Sequence, residues 1–269
     1  IKKASHQDMR SLVCAQCHVE YYFNTKVPEE GVPYLTFPWD KGTTMEDMEA
    51  YYDNIQFSDW THAISKAPML KAQHPDYEIF KMGVHSQRGV SCADCHMPYK
   101  SEGGQKFTNH KLGSPLNNIS GSCQVCHREE TDRLVADVYE RQDKIKEQRD
   151  MLETMLVQAH VEAKAAWDAG ATEEAMKPIL LAIRKSQWRW DFAAAGHGSS
   201  FHAPVEVGRI VSSGLMFAQE ARVKLARLLA SLGVKGEIAY PDITTKEKAQ
   251  AFIGLDMKAL KAEKDLFKQ

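Results

Sequence analysis

All six cysteines of this chain fall in three copies of one five-residue pattern: Cys14-Ala-Gln-Cys17-His18, Cys92-Ala-Asp-Cys95-His96 and Cys123-Gln-Val-Cys126-His127. Histidine is scarce, 11 in 269 residues, so a His behind all three pairs by accident has odds on the order of one in ten thousand. C-x-x-C-H is the attachment motif of a c-type haem: two thiols form thioethers to the porphyrin vinyl groups and the adjacent imidazole reaches the iron. Zinc sites consume C-x-x-C pairs two at a time and would strand the third, and structural disulfides have no use for the trailing His. The cysteines are therefore read as haem attachment points, and His18, His96 and His127 as proximal iron ligands. Covalent haem attachment also implies a compartment outside the cytoplasm, in a bacterium the periplasm.

An electron-carrying haem takes a second strong axial ligand, whereas one that does chemistry leaves that side open. The remaining histidines are His6, His62, His74, His85, His110, His160, His197 and His202. His85, His110 and His202 sit in loop-like or element-terminal sequence, where a ring can enter a haem face. His160 falls mid-helix and reads as a hydrogen-bonded core residue. A content of 43% hydrophobic and 26% charged residues fits a globular chain with its own core and excludes disorder and a collagen-like fibre. A formal charge of -2 leaves no basic excess for a phosphate backbone, so nucleic acid is not an expected partner. No apolar run approaches a bilayer span. The opening Ile1-Lys2-Lys3 has neither an initiator Met nor a leader, which predicts a processed chain or a piece of a longer one.

The pattern changes near residue 128. Residues 1–127, the haem-binding region, hold every haem motif, 7 of the 10 prolines and turn signals such as Pro28-Glu29-Glu30-Gly31, Phe37-Pro38-Trp39-Asp40 and Glu102-Gly103-Gly104. Short helices wrapped around cofactors are expected there. Residues 128–269 form a long-helix region. From Arg128 to Ala169 no Gly or Pro occurs, and Leu134, Val138, Ile145, Leu152, Met155, Ala159 and Ala163 recur at helical spacing. That predicts one helix of roughly 60 Å, long enough to seek another long helix or another subunit. A second helix is expected over Thr172 to Ala195 with a kink at Pro178, a third from Pro204 to just before Gly233, and a last pair from a Thr244-Thr245-Lys246-Glu247 capping box onward. The class is mainly α.

Several longer stretches carry a resemblance: Cys-Ala-Gln-Cys-His-Val-Glu-Tyr-Tyr-Phe at 14–23, Phe37-Pro38-Trp39-Asp40, Lys71-Ala72-Gln73-His74-Pro75, Gln187-Trp188-Arg189-Trp190-Asp191 and His202-Ala203-Pro204. With the motifs at 92 and 123 they resemble the C-terminal half or more of the periplasmic, ammonia-forming cytochrome c nitrite reductases. The resemblance implies a multihaem cytochrome c fold, with an irregular haem-wrapping N-terminal half and long C-terminal helices. It also implies a five-haem homodimer reducing nitrite to ammonium by six electrons. Its electron donor would be a periplasmic multihaem cytochrome or a membrane-anchored quinol-oxidising one. By the same match Tyr21 and His74 are the active-site tyrosine and histidine, and Glu20, Tyr21, Lys71 and Gln73 surround a Ca²⁺ ion. Oxygen chemistry permits the latter, with carboxylate, amide and carbonyl donors; Lys71 contributes only its carbonyl. His202 would face the haem of Cys92, Cys95 and His96, and His85 that of Cys123, Cys126 and His127.

The chain also departs from that family. The family's catalytic haem is bound through C-x-x-C-K, and neither this motif nor a further C-x-x-C-H is present. Family position makes His110 the distal ligand of an absent haem. The expectation is a C-terminal part carrying three of five haems, with the catalytic haem on an N-terminal segment of the same enzyme. The alternative is a multihaem electron-transfer cytochrome without substrate chemistry, which has no need of Glu20-Tyr21 or Gln73-His74.

Overall fold

The computed structural model describes residues 2–24 and 34–268, and the turn signal at Pro28-Glu29-Glu30-Gly31 lies outside them. Before residue 128 the described chain is built of short pieces. Helices α1 (His6–Leu12), α2 (Met45–Asn54), α3 (Asp76–Met82), α4 (Val84–Gln87), α5 (Cys92–His96) and α6 (Ile119–Ser122) alternate with loops and small hairpins. The hairpins pair β1 (Tyr22–Asn24) with β2 (Tyr34–Thr36), β3 (Trp60–Thr61) with β4 (Pro68–Met69), and β5 (Tyr99–Glu102) with β6 (Gln105–Thr108) across the Gly103-Gly104 turn. Reciprocal capping boxes, Ser5 with Asp8 and Thr44 with Asp47, start α1 and α2.

The long helices are α7 (Thr131–Asp168), α8 (Glu173–Ala195) and α10 (Pro204–Ser231), with the single turn α9 (Ser199–His202) between the last two and α11 (Lys246–Phe252) and α12 (Met257–Phe267) after them. The mainly α class is as the sequence implies. Local signals fix the ends. The Thr172 hydroxyl accepts from the Ala175 N–H, Gly196 caps the end of α8, and Pro204 opens α10. The α7 stripe buries Ile145, Leu152, Ala159 and Ala163 against α8 and α10, while Leu134 and Val138 in its first turns are half-buried. α8 runs unbroken through Pro178, which sits in the second turn and forfeits one backbone hydrogen bond. One cap is shifted from expectation. Asp242 takes both the N–H and the hydroxyl of Thr244, so Thr245 starts α11 by accepting from the Lys248 N–H.

The main core unites both regions. Tyr22, Met48, Tyr52, Leu70 and Ile79 pack with Leu152, Trp188, Phe192, Val207 and Ile210, each such side chain contributing about 1.5–3 kcal/mol by burial. Polar bolts pin α8 to what precedes it. Arg189 forks onto Glu49 at 2.8 and 3.1 Å, Arg184 donates to Asp53 and to the carbonyls of Phe57 and Pro68, and the Trp188 indole donates to the Met45 carbonyl. The Gln187–Asp191 stretch thereby clamps the chain ahead of residue 71. No helix among the described residues is long and apolar enough to cross a membrane.

Candidate functional site

Each C-x-x-C-H motif closes one helical turn. The N–H groups of Cys17 and His18 both donate to the Cys14 carbonyl, those of Cys126 and His127 to the Cys123 carbonyl, and Cys92–His96 is α5 itself. One turn puts residues i, i+3 and i+4 on one face, so both thiols and the imidazole of a motif address one cofactor. All six thiols are free. Burial pushes those of Cys14, Cys92 and Cys123 up, and that of Cys95 to about 11.

The three turns touch in series. Asp94, inside the second motif, accepts from Ser91, Gln7 and Arg10, tying α5 to α1, and the Cys92 N–H donates to Ser11 beside the first motif. The Ser122 hydroxyl donates to the Cys95 carbonyl, joining the third motif to the second at 2.8 Å.

Opposite two of the motifs stands a second imidazole. The His96 and His202 ring centroids lie 6.3 Å apart, and those of His127 and His85 lie 6.2 Å apart. A metal–imidazole bond is about 2.0 Å and a ring centroid lies about 1.1 Å behind its nitrogen, so two imidazoles on opposite faces of one iron sit about 6.2 Å apart. Both pairs therefore have room for one iron between their rings. Burial pushes His202 down to about 4 and also lowers His85, keeping each in the neutral form that binds a metal. Packing fixes both rings: His85 stacks on Phe201 and His202 meets Phe80 edge-on. Two glycines make this possible, because a Cβ on Gly83 would meet the His202 carbonyl at 1.8 Å and one on Gly198 would meet the His202 ring at 2.2 Å. His110 is exposed, and among the described residues no imidazole faces it or His18.

Behind the proximal rings lie different groups. The His18 Nδ1 is 3.3 Å from the buried Asp76 carboxylate, the His96 Nδ1 is 3.1 Å from the Gly113 carbonyl, and the His127 Nδ1 is 3.7 Å from the exposed Glu129. At His18 and His96 the occupied Nδ1 leaves Nε2 for iron.

The first motif leads directly into Glu20 and Tyr21. Glu20 is fully buried, accepts from the Gln73 N–H at 2.7 Å and from the Tyr52 hydroxyl, and has its carboxyl held well above the usual range, chiefly by burial. Glu78 lies behind it, accepting from the Glu20 N–H and the Trp39 indole, and burial pushes it up to about 7. That contact accounts for the Phe37-Pro38-Trp39 stretch. The 71–73 segment has no regular structure, yet three successive N–H groups each meet a carboxylate: Lys71 donates to Asp59, Ala72 to Asp191 and Gln73 to Glu20. The His74 ring lies 6.3 Å from Tyr21 and 6.0 Å from His197. The Gln73 amide oxygen faces the Lys71 ammonium at 3.4 Å. Among the described residues no three His, Cys, Asp or Glu side chains cluster as a metal site, so a cation here would rely on Glu20 with amide and backbone oxygens. Asp76, Asp94 and His197 are members of the site that sequence reasoning did not single out.

Residues 1–269 match the cytochrome c552 family. The chain belongs to that family. A cytochrome c552 brings haem c with it, which assigns the three motif turns their cofactor class. The chain is 61% identical over 267 residues to cytochrome c-552 of Parabacteroides distasonis and 60% identical over 267 residues to that of Porphyromonas gingivalis, covering 99% of itself and 53% of each relative. It thus spans about half the length of the relatives it matches. Its fold is similar to the catalytic subunit of the cytochrome c nitrite reductase of Desulfovibrio desulfuricans ATCC 27774, a structure described with two calcium sites. The TM-score is 0.79 at 35% identity, over 88% of this chain and 53% of that one. The multihaem cytochrome c fold is accordingly the fold of this cytochrome c552.

Proposed function

We propose that this chain is the C-terminal part of a periplasmic, ammonia-forming cytochrome c nitrite reductase. Its three motifs would hold haems that supply one-electron steps toward a catalytic haem bound by an N-terminal segment of the same enzyme. The observation that carries the reading is the pair of facing imidazoles, 6.3 and 6.2 Å apart, across two of three motif turns that touch in series. Bound there, the haems supply one-electron reduction steps.

The chain's own residues do the rest. Cys14, Cys17, Cys92, Cys95, Cys123 and Cys126 would attach the cofactors, and His18, His96 and His127 would each ligate one of them. His202 and His85 would hold the second and third from the other side, which would keep substrate off them. His110 serves the haem of a segment outside this chain. Nitrite takes up six electrons and eight protons to give ammonium and two waters, so its oxygens need donors as they leave. His74 donates hydrogen bonds and protons to them, and the Tyr21 hydroxyl, across a shared gap of 6.3 Å between rings, positions the anion.

The residues fit calcium. Glu20 is a buried carboxylate whose charged neighbours, Glu78 and Asp59, are also acidic, and the Gln73 amide oxygen already faces a cation. The Glu20 carboxylate, the Gln73 amide oxygen and the carbonyls of Tyr21 and Lys71 would hold the ion. Apolar residues left exposed on α7 and α10, among them Tyr139, Met151, Met216 and Val223, suit a second copy of the enzyme. The donor would be a periplasmic multihaem or membrane-anchored quinol-oxidising cytochrome.

An intact mass and pyridine haemochrome count on the full-length protein, then a nitrite assay with reduced viologen, tests this. Five haems with ammonium formed is the expected result, and His74→Ala should abolish most of the turnover while nitrite still binds. Redox-active protein that leaves nitrite untouched would make it a carrier.

A further inference from the structure

We propose that Asp76 makes the haem of Cys14, Cys17 and His18 the lowest-potential haem of this chain, through a buried carboxylate that accepts the His18 Nδ1–H. The inference rests on the haem reading above and concerns how the relay is tuned.

Asp76 is the first residue of α3 and only 7% exposed. Its Oδ2 lies 3.3 Å from the His18 Nδ1 and 3.7 Å from the His197 Nδ1, and its Oδ1 accepts from the Gly198 N–H at 3.2 Å. The backbone holds this arrangement: the N–H of Tyr77 donates to the His18 carbonyl at 3.0 Å, and that of Asp76 to the His74 carbonyl at 2.7 Å. Its ion-pair partners are His18 and His197 alone among the described residues, with no lysine or arginine to cancel the charge.

A carboxylate accepting from a ligating imidazole makes that ligand more electron-rich. Its negative charge, shielded from water, also favours the more positive oxidised iron. Both effects lower the potential. The other two proximal rings lack this partner, since His96 meets a neutral carbonyl and His127 meets Glu129 beyond hydrogen-bond distance, with the Glu129 carboxylate half exposed and screened where that of Asp76 is 10% exposed. The haem so favoured precedes Glu20 and Tyr21 in the chain, so the strongest reductant of the three stands beside the pocket. A purely structural role at the start of α3 would survive replacement by Asn, which suits a helix N-terminus and carries no charge.

The test is a haem-resolved EPR redox titration of the haem-loaded, full-length protein. His202→Met and His85→Met variants mark the signals of the second and third haems. In the wild type, the His18 haem should be the last of the three to be reduced. Asp76→Asn should move that haem alone toward reduction by at least about tenfold in its oxidised-to-reduced ratio at fixed potential, which is about 59 mV for a one-electron couple. Glu129→Gln should move the His127 haem by less than about twofold. Reduction of the His96 or His127 haem after the His18 haem in the wild type overturns the inference, whether or not the variant folds. So does an Asp76→Asn protein with full haem content and unchanged couples. Absence of a haem adduct on the Cys14–Cys17 peptide would instead overturn the haem reading beneath it.

Discussion

On the proposed reading, Gly198→Ala should cost this cytochrome c552 one axial ligand, His202, while leaving its backbone intact. Gly198 has φ of -96° and ψ of 6°, which alanine tolerates, so the whole effect is steric. The added Cβ would lie 2.2 Å from Cε1, 2.5 Å from Nδ1 and 2.7 Å from Nε2 of His202, where ordinary contact begins at 3.4 Å. The ring must retreat by more than an ångström. It has nowhere to go within its present pose, because Phe80 meets it edge-on at 5.8 Å and its own carbonyl is pressed onto Gly83. A metal–imidazole bond of about 2.0 Å tolerates only tenths of an ångström of that. On the proposed reading, one of the chain's haems should then pass from low to high spin in the ferric state, read by EPR and the visible spectrum. Gly113→Ala is the control, since its Cβ would meet nothing within 4 Å. A Gly198→Ala protein whose haems all stay low-spin, or a Gly113→Ala protein with the same change, refutes the reasoning.

Three further outcomes follow from the buried charges. Glu49→Ala strands the Arg189 guanidinium and should cost about 3–5 kcal/mol, most of it recovered by replacing both partners with Met; thermal melts of the singles and the double check it, and a single variant melting within a degree of wild type rejects it. His160 stacks on His62 at 3.8 Å and is pushed down to about 3, chiefly by burial, so the unfolded chain binds its proton first. That stabilisation is complete above about pH 6.5 and is lost as pH falls toward 3, by about 2 kcal/mol at pH 5; urea titrations at pH 7 and 5 should show the loss, and His160→Gln should shrink it by about that amount. Glu20→Gln keeps an acceptor for the Gln73 N–H but not the charge, and metal analysis should find one calcium fewer per chain; an unchanged count removes Glu20 from the calcium site.

What could be read from the sequence divides along contact range. The motif turns were legible because thioether chemistry fixes their spacing, and the ends of α8 and α10 because Thr172, Gly196 and Pro204 act on their immediate neighbours. The capping box at Thr244 was misplaced by one residue because an equally local competitor, Asp242, reached the hydroxyl first. The expected facing of His202 with His96 and of His85 with His127 came only from the family resemblance. Nothing in the periodicity of either segment marks a partner so far along the chain. Asp76 reads as an ordinary first-turn acid until a contact 58 residues away places it behind His18. The Gln187–Asp191 stretch was recognisable as a string but not as a clamp, since the Asp191 to Ala72 contact spans 119 residues.

On the proposed reading, the segment leading into α3 gives the pocket a reason to hold a cation. Residues 71–74 carry Gln73 and His74 and have neither helix nor strand to satisfy their backbone, and Asp76 begins α3 just beyond them. Carboxylates take that role: Asp59, Asp191 and Glu20 accept from three consecutive N–H groups, and burial pushes all three acids up. Only an ionised carboxylate is acceptor-only at both oxygens, so the segment is held best when all three are charged, and that charge opposes a nitrite anion beside His74. A divalent ion between Glu20 and Gln73 would meet both demands, keeping Glu20 ionised for the Gln73 N–H while offsetting much of the negative charge at the pocket. On the proposed reading, calcium is therefore coupled to the placement of His74 as well as to substrate attraction. Its removal should weaken nitrite binding and disorder the 71–74 segment together.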